Sequence, residues 1–112
     1  MFKLNIGALY NCVKMDEKCV KEAFDCEKEI KVGRWRADLK CGELYVEVEN
    51  VKTMTQGLCQ VLLWSTLEGV PTALALYGTT EEIPHVEISK VVKKGIPVVY
   101  IDIKTKNVYY YV

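Results

Sequence analysis

From Arg34 to Glu49 the sequence alternates charged or polar and apolar residues in strict period two, interrupted only by Gly42-Glu43. Trp35, Ala37, Leu39 and Cys41 share one parity in the first run; Leu44, Val46 and Val48 share the matching parity in the second. Successive strand side chains point to opposite faces, so each run reads as a half-buried strand, and the Gly-x pair between them suits a type II′ hairpin turn. That loop sets the register. Cys41 opposes Leu44 and every further pair keeps the same sum of residue numbers, which places Asp38 opposite Glu47 and Arg36 opposite Glu49. One face of the hairpin is then core. The other carries Arg34, Arg36, Asp38, Lys40, Tyr45, Glu47 and Glu49.

Two carboxylates directly opposite one another, roughly 5 Å apart at Cβ, repel unless something positive lies between them. A hard divalent cation such as Mg2+ or Mn2+ would resolve the conflict, since it binds through one or two carboxylates and keeps several waters. The other reading is a solvated face on which Arg36 pairs with Glu49 and Lys40 neutralises Asp38. The hairpin alone leaves both open.

The remaining periodicities predict an α/β domain. Cys12, Met15, Cys19, Ala23 and Cys26 fall on one side of a helix over residues 11–25. Lys28 to Val32 is a strand. A helix starting near Thr53 or Thr55 runs to Gly69 and is apolar nearly all round, which predicts extensive burial. Thr72 to Tyr77 is a short apolar strand, Val86 to Lys94 an amphipathic helix, and Val98 to Ile103 and Val108 to Val112 are the last two strands. Helical crossovers after the third and fourth strands make those connections parallel and right-handed.

With 112 residues the chain is expected to be a single domain, residues 1–112, able to bury a core without a metal or disulfides. Fifteen basic groups balance fifteen acidic ones, so any nucleic-acid binding must rely on a local patch and not on the overall field. No stretch reaches the roughly 18 apolar residues of a membrane span, and the N-terminal segment carries no targeting pattern; a cytoplasmic protein without a membrane partner is expected. The five cysteines are odd in number and include no C-x-x-C pair. Cys12, Cys19 and Cys26 read first as small apolar side chains on a buried stripe, with a redox role or a stabilising disulfide as the alternatives. No cysteine follows Cys59, which argues against an iron–sulfur cluster.

Arg36-Ala37-Asp38-Leu39, then Leu44-Tyr45-Val46-Glu47-Val48-Glu49, then Gln60-x-x-x-Trp64 together resemble the PD-(D/E)xK nuclease superfamily, in particular its RecB-type and junction-resolvase branches. The resemblance implies a restriction-endonuclease-like αβββαβ core, with a mixed central sheet flanked by helices. It implies a Mg2+-dependent deoxyribonuclease, a hydrolase in which Asp38, Glu47 and the Val48 carbonyl hold the ion. Gln60 and Trp64 stand where that branch has Gln and Tyr. Glu49 departs from the pattern by occupying the usual lysine position, giving an E-x-E variant. Lys52 or Lys40 would then supply the cation, or Glu49 would act as the base. The acidic residue that the family adds from its first helix is assigned to Glu22, and not to Glu17, from the border of the apolar stripe. Arg34, Arg36 and Lys52 form the candidate phosphate patch. His85 is read as loop surface. DNA is the expected partner, with a homodimer or a larger protein completing the site; the alternative is an inactive nuclease-like module that binds nucleic acid or protein.

Overall fold

The computed structural model describes residues 4–112. Among them two short helices come first, α1 (Ile6–Tyr10) and α2 (Glu17–Ala23), followed by a meander of β1 (Glu27–Val32), β2 (Trp35–Cys41) and β3 (Leu44–Asn50). Then come α3 (Met54–Leu63), β4 (Thr72–Gly78), α4 (His85–Lys93), β5 (Val98–Asp102) and β6 (Val108–Tyr111). The strands lie side by side in chain order in one six-stranded mixed sheet. Pairing is antiparallel through the meander, parallel from β3 to β4 and from β4 to β5, and antiparallel again at β6. Both parallel steps are the ones expected from the helical crossovers.

The hairpin register is the one the loop dictates. Leu39 pairs with Val46, Lys40 with Tyr45 and Cys41 with Leu44, and Gly42 takes a φ of 61°, which the first central residue of a type II′ turn requires and which costs glycine least. The idea of one core face and one solvated face does not hold, because helices cover both sides of the sheet. Leu39, Cys41, Val46 and Val48 pack with Leu9, Val20, Ala23 and Phe24 beneath α1 and α2. On the other side Val61, Trp64, Ile88 and Val91 from the α3 and α4 segments pack with Ala37, Leu74, Leu76 and Tyr100. Every residue of β4 and β5 is buried, as expected of central strands covered on both faces.

Three expectations need correction. The first helix does not run over residues 11–25; Asp16 caps α2 by accepting from the Cys19 N–H, so Cys12 precedes the helix and Cys26 follows it. The cysteines are not a stripe of free thiols. Cys12 is bonded to Cys19 and Cys26 to Cys41, with Cα atoms 6.0 and 4.9 Å apart, and each bridge closes a short loop worth about 2–3 kcal/mol. Such bridges belong to oxidising compartments or to the interior of hyperthermophiles, so the cysteines no longer point to an ordinary reducing cytosol. Finally, α3 and the π turn Trp64–Glu68 that extends it bury Gly57, Val61 and Trp64 but expose Leu62, Leu63 and Leu67. His85 opens α4 instead of lying in a loop, although it is exposed as expected.

Helix α3 crosses the sheet close to β3 and β4 because residue 57 lacks a side chain. A Cβ there would lie 2.9 Å from that of Glu49 and 3.2 Å from Leu74 Cδ1. Gly57→Leu is therefore expected to lower stability by about 2–3 kcal/mol, the cost of overpacking, in spite of leucine's better helix propensity. Urea unfolding checks this, and an unchanged midpoint would show that α3 does not sit this close.

Candidate functional site

Beyond Leu39–Val46 the hairpin opens into a fork whose apex is Asp38. The Val48 N–H, which a continued ladder would give to a β2 carbonyl, instead donates to Asp38 Oδ2 at 2.8 Å. The β1–β2 pairing likewise passes from Lys28–Leu39 to Ile30–Ala37 around Glu29, whose φ is 52°. Leu39 and Cys41 belong to the core on the α1–α2 side while Ala37 belongs to that on the α3–α4 side, so β2 turns over at Asp38. The aspartate side chain substitutes for a backbone acceptor at the point where the strand rotates.

The second oxygen of the same carboxylate meets a cation. Lys21 Nζ from α2 lies 2.8 Å from Asp38 Oδ1 and 3.0 Å from Glu17 Oε2. Glu17, Val20, Lys21 and Phe24 recur at helical spacing, so the face of α2 that buries Val20 and Phe24 also carries Glu17 and Lys21 to the sheet. Burial works against the charged Lys21 ammonium, but its bonds to Asp38 and Glu17 outweigh this and raise its pKa above the usual lysine range.

Glu47 completes the centre. Half-buried, it hydrogen-bonds to Asp38, and its pKa is pushed up to about 9, first by burial and then by the neighbouring Asp38 charge. At neutral pH its protonated carboxyl donates to Asp38. Glu49 is also raised, by burial and by the charges of Glu17 and Asp38, although the Thr53 hydroxyl that donates to it acts in the opposite sense. Tyr77, across from Asn50 on β4, is raised by burial and by Glu17 and Glu49. One acidic cluster thus spans α2, β2, β3 and β4.

Asp38 lies beside Glu47 and within electrostatic reach of Glu49, although the β2–β3 ladder ends at Leu39–Val46 and pairs neither Asp38 with Glu47 nor Arg36 with Glu49. Glu22 is exposed and borders two cavities, one with Leu4, Asn5, Ala23 and Phe24 and one with Glu17 and Lys21; the helix glutamate ion-paired to Lys21 is Glu17. The stripe inferred from the cysteines had rotated the helix. Lys52 is largely exposed with its ammonium 4.0 Å from Glu82, and Lys40 lies over the Tyr45 ring, so the cation on Asp38 is Lys21. Arg36 stands across from Lys31 on β1 instead of pairing with Glu49. Arg34 and Arg36 are exposed at the open end of the fork, the end from which Lys52 also projects. Gln60 is half-buried one helical turn beyond Gly57, and Trp64 is wholly buried in the core. Sequence reasoning missed Lys21, Glu17 and Tyr77; the Glu17–Lys21 spacing was the available signal.

Among the described residues no three carboxylate, imidazole or thiol side chains converge to cage an ion. A divalent cation would have to use Asp38 and Glu47, backbone and water, which suits Mg2+ better than a softer metal. The backbone fits: N–H and C=O of one strand residue face the same neighbour, so the Val48 carbonyl is directed toward β2 with its N–H. No family model, curated protein or solved structure matches the chain.

Glu47 makes stability pH-dependent. Its folded pKa lies above the unfolded value, so between the ordinary glutamate value of 4.5 and about 9 the native state holds the extra proton and stability falls as pH rises. Glu47→Gln is expected to remove that slope and to add about 1–3 kcal/mol at pH 7, allowing for solvent screening of a half-buried group. Urea unfolding from pH 5 to 9 measures it, and parallel profiles for the two proteins would contradict a protonated Glu47.

Proposed function

We propose that the fork is the hydrolytic centre of a metal-dependent deoxyribonuclease with a restriction-endonuclease-like core. The observation that carries this reading is the meeting of Asp38, Glu47 and the Lys21 ammonium at one point where two strands part. Asp38, Glu47 and the Val48 carbonyl are the groups that would hold Mg2+ or Mn2+. When bound, such an ion polarises a phosphodiester and lowers the pKa of water.

The chain's own residues account for the rest of the chemistry. Lys21 supplies the positive charge that Glu49, in place of lysine, does not, and its raised pKa keeps it charged where negative charge develops on phosphate oxygens. Glu49, its pKa raised by burial, stands where it could accept a proton from the attacking water. Glu17 positions Lys21 from one helical turn away. Arg34, Arg36 and Lys52, exposed at the open end, would hold the DNA backbone without reading its sequence. A second copy or a larger partner would complete the DNA site, and among the described residues no helix is long and apolar enough to cross a membrane.

One observation favours a second reading. Both Asp38 oxygens already have protein partners, and a Glu17–Lys21–Asp38 chain closed on itself is also what an inactive nuclease-like binding module would keep. Calorimetry with Mn2+ and cleavage of branched, single-stranded and duplex DNA separate the two. The nuclease reading expects one ion per chain, abolished by Asp38→Ala and by Glu47→Ala, and cleavage reduced by about a hundredfold or more in Lys21→Met. DNA binding without cleavage in either metal would favour the inactive module; Mn2+ binding unaffected by either alanine substitution would remove the site.

A further inference from the structure

The disulfides are distributed in a way that neither stability nor the acidic cluster explains. Four of the five cysteines are paired, and the free one, Cys59, lies exposed on α3. Both bridges flank one element. Cys12–Cys19 ties the segment before α2 to the helix itself, and Cys26–Cys41 ties the chain three residues after α2 to the last residue of β2, the strand that carries Asp38. Helix α2 is seven residues long, too short to hold its shape unaided, and it delivers both Glu17 and Lys21 to the fork. Non-covalent anchoring comes from Val20, Ala23 and Phe24 on one face and from the Asn5 N–H on the Ala23 carbonyl. The covalent pins lie at its two ends.

We propose that the two disulfides form a redox latch on the fork: oxidised, they hold α2 with Lys21 on Asp38; reduced, they release the helix and withdraw the ammonium from the carboxylate. This rests on the reading of the fork as the functional site and names the regulation of that site. The reductant is a dithiol. One of its thiolates attacks the half-buried sulfur of a bridge, Cys19 in the first and Cys26 in the second, expelling the thiolate of the buried partner, Cys12 or Cys41. Its second thiolate then attacks the mixed disulfide. For each bridge one S–S bond is broken, two cysteine thiols form, and the dithiol gives up two electrons and two protons as it closes to its own disulfide. Elsewhere the described sheet and the α3–α4 layer contain no bridge and keep their packing.

The latch also predicts how a cation responds. Lys21 and a divalent ion compete for the same carboxylate, so releasing α2 raises the affinity of the fork for Mn2+ while removing the ammonium that hydrolysis would use.

Amide hydrogen exchange on the full chain, oxidised and after treatment with dithiothreitol, tests the latch without requiring metal or activity. Residues 17–23 are expected to exchange about tenfold faster on reduction while β4 and β5 stay protected. Unchanged exchange in α2, or equal loss of protection throughout the sheet, would overturn the latch. Mn2+ calorimetry closes a thermodynamic cycle: reduction and Lys21→Met each tighten binding by about tenfold, and reducing Lys21→Met adds nothing further. Independent, additive effects would contradict the mechanism. If Mn2+ binds none of these forms, the metal-dependent reading fails while hydrogen exchange still decides the latch, and a variant lacking both bridges (Cys12→Ala, Cys19→Ser, Cys26→Ser and Cys41→Ala) reproduces the reduced pattern without a reductant.

Discussion

A single carboxylate organises this molecule's most unusual region. Asp38 accepts a backbone N–H from β3 on one oxygen and an ammonium from α2 on the other, with the Glu47 carboxyl hydrogen-bonded beside it. Each contact answers a cost that the others create. The strand rotation at Asp38 would leave the Val48 N–H without its ladder acceptor, and a buried unpaired donor costs about 1–3 kcal/mol. Meeting that need with an aspartate brings charge beside Glu47, and half-burial makes the second charge expensive, so Glu47 keeps its proton. Lys21 compensates the remaining charge, which fixes the face that α2 presents to the sheet.

Much of the fold was legible because it depends on local rules. Period-two alternation and the Gly42-Glu43 turn were enough to set three strands and the β2–β3 register from Cys41–Leu44 to Leu39–Val46, and the expected helical crossovers match the parallel β3–β4 and β4–β5 steps. Buried strands β4 and β5 read as continuous apolar runs because helices cover both faces. Element boundaries shifted by only a residue or two where turn chemistry was clear, as at Gly42 and Gly69.

The candidate site was legible only in its strand-borne half. Strand parity singled out Asp38 and Glu47, yet the end of the ladder at Leu39–Val46 and the turn-over of β2 at Asp38 could not be read, since Asp38 interrupts a pattern that the sequence continues without a break. The helix-borne half failed for a covalent reason. Cysteines at seven-residue intervals imitate the apolar stripe of a helix, whereas two of the three lie outside α2 and all are in bridges. Reading them as core rotated the helix, which promoted Glu22, demoted Glu17 and left Lys21 on a supposed solvent face. Pairing between cysteines distant in sequence is a property of the folded chain, and Cys41 on β2 gives no local sign of its partner.

The account stands on Asp38 occupying the fork in place of a backbone acceptor. Through-hydrogen-bond NMR coupling tests this directly, because a long-range correlation reports the carbon attached to the oxygen that accepts each amide proton. The structure requires that the Val48 nitrogen couple to the side-chain carboxyl carbon of Asp38. Coupling of Val48 to a backbone carbonyl of β2 would show a closed ladder with no fork, and the acidic centre described above would not exist.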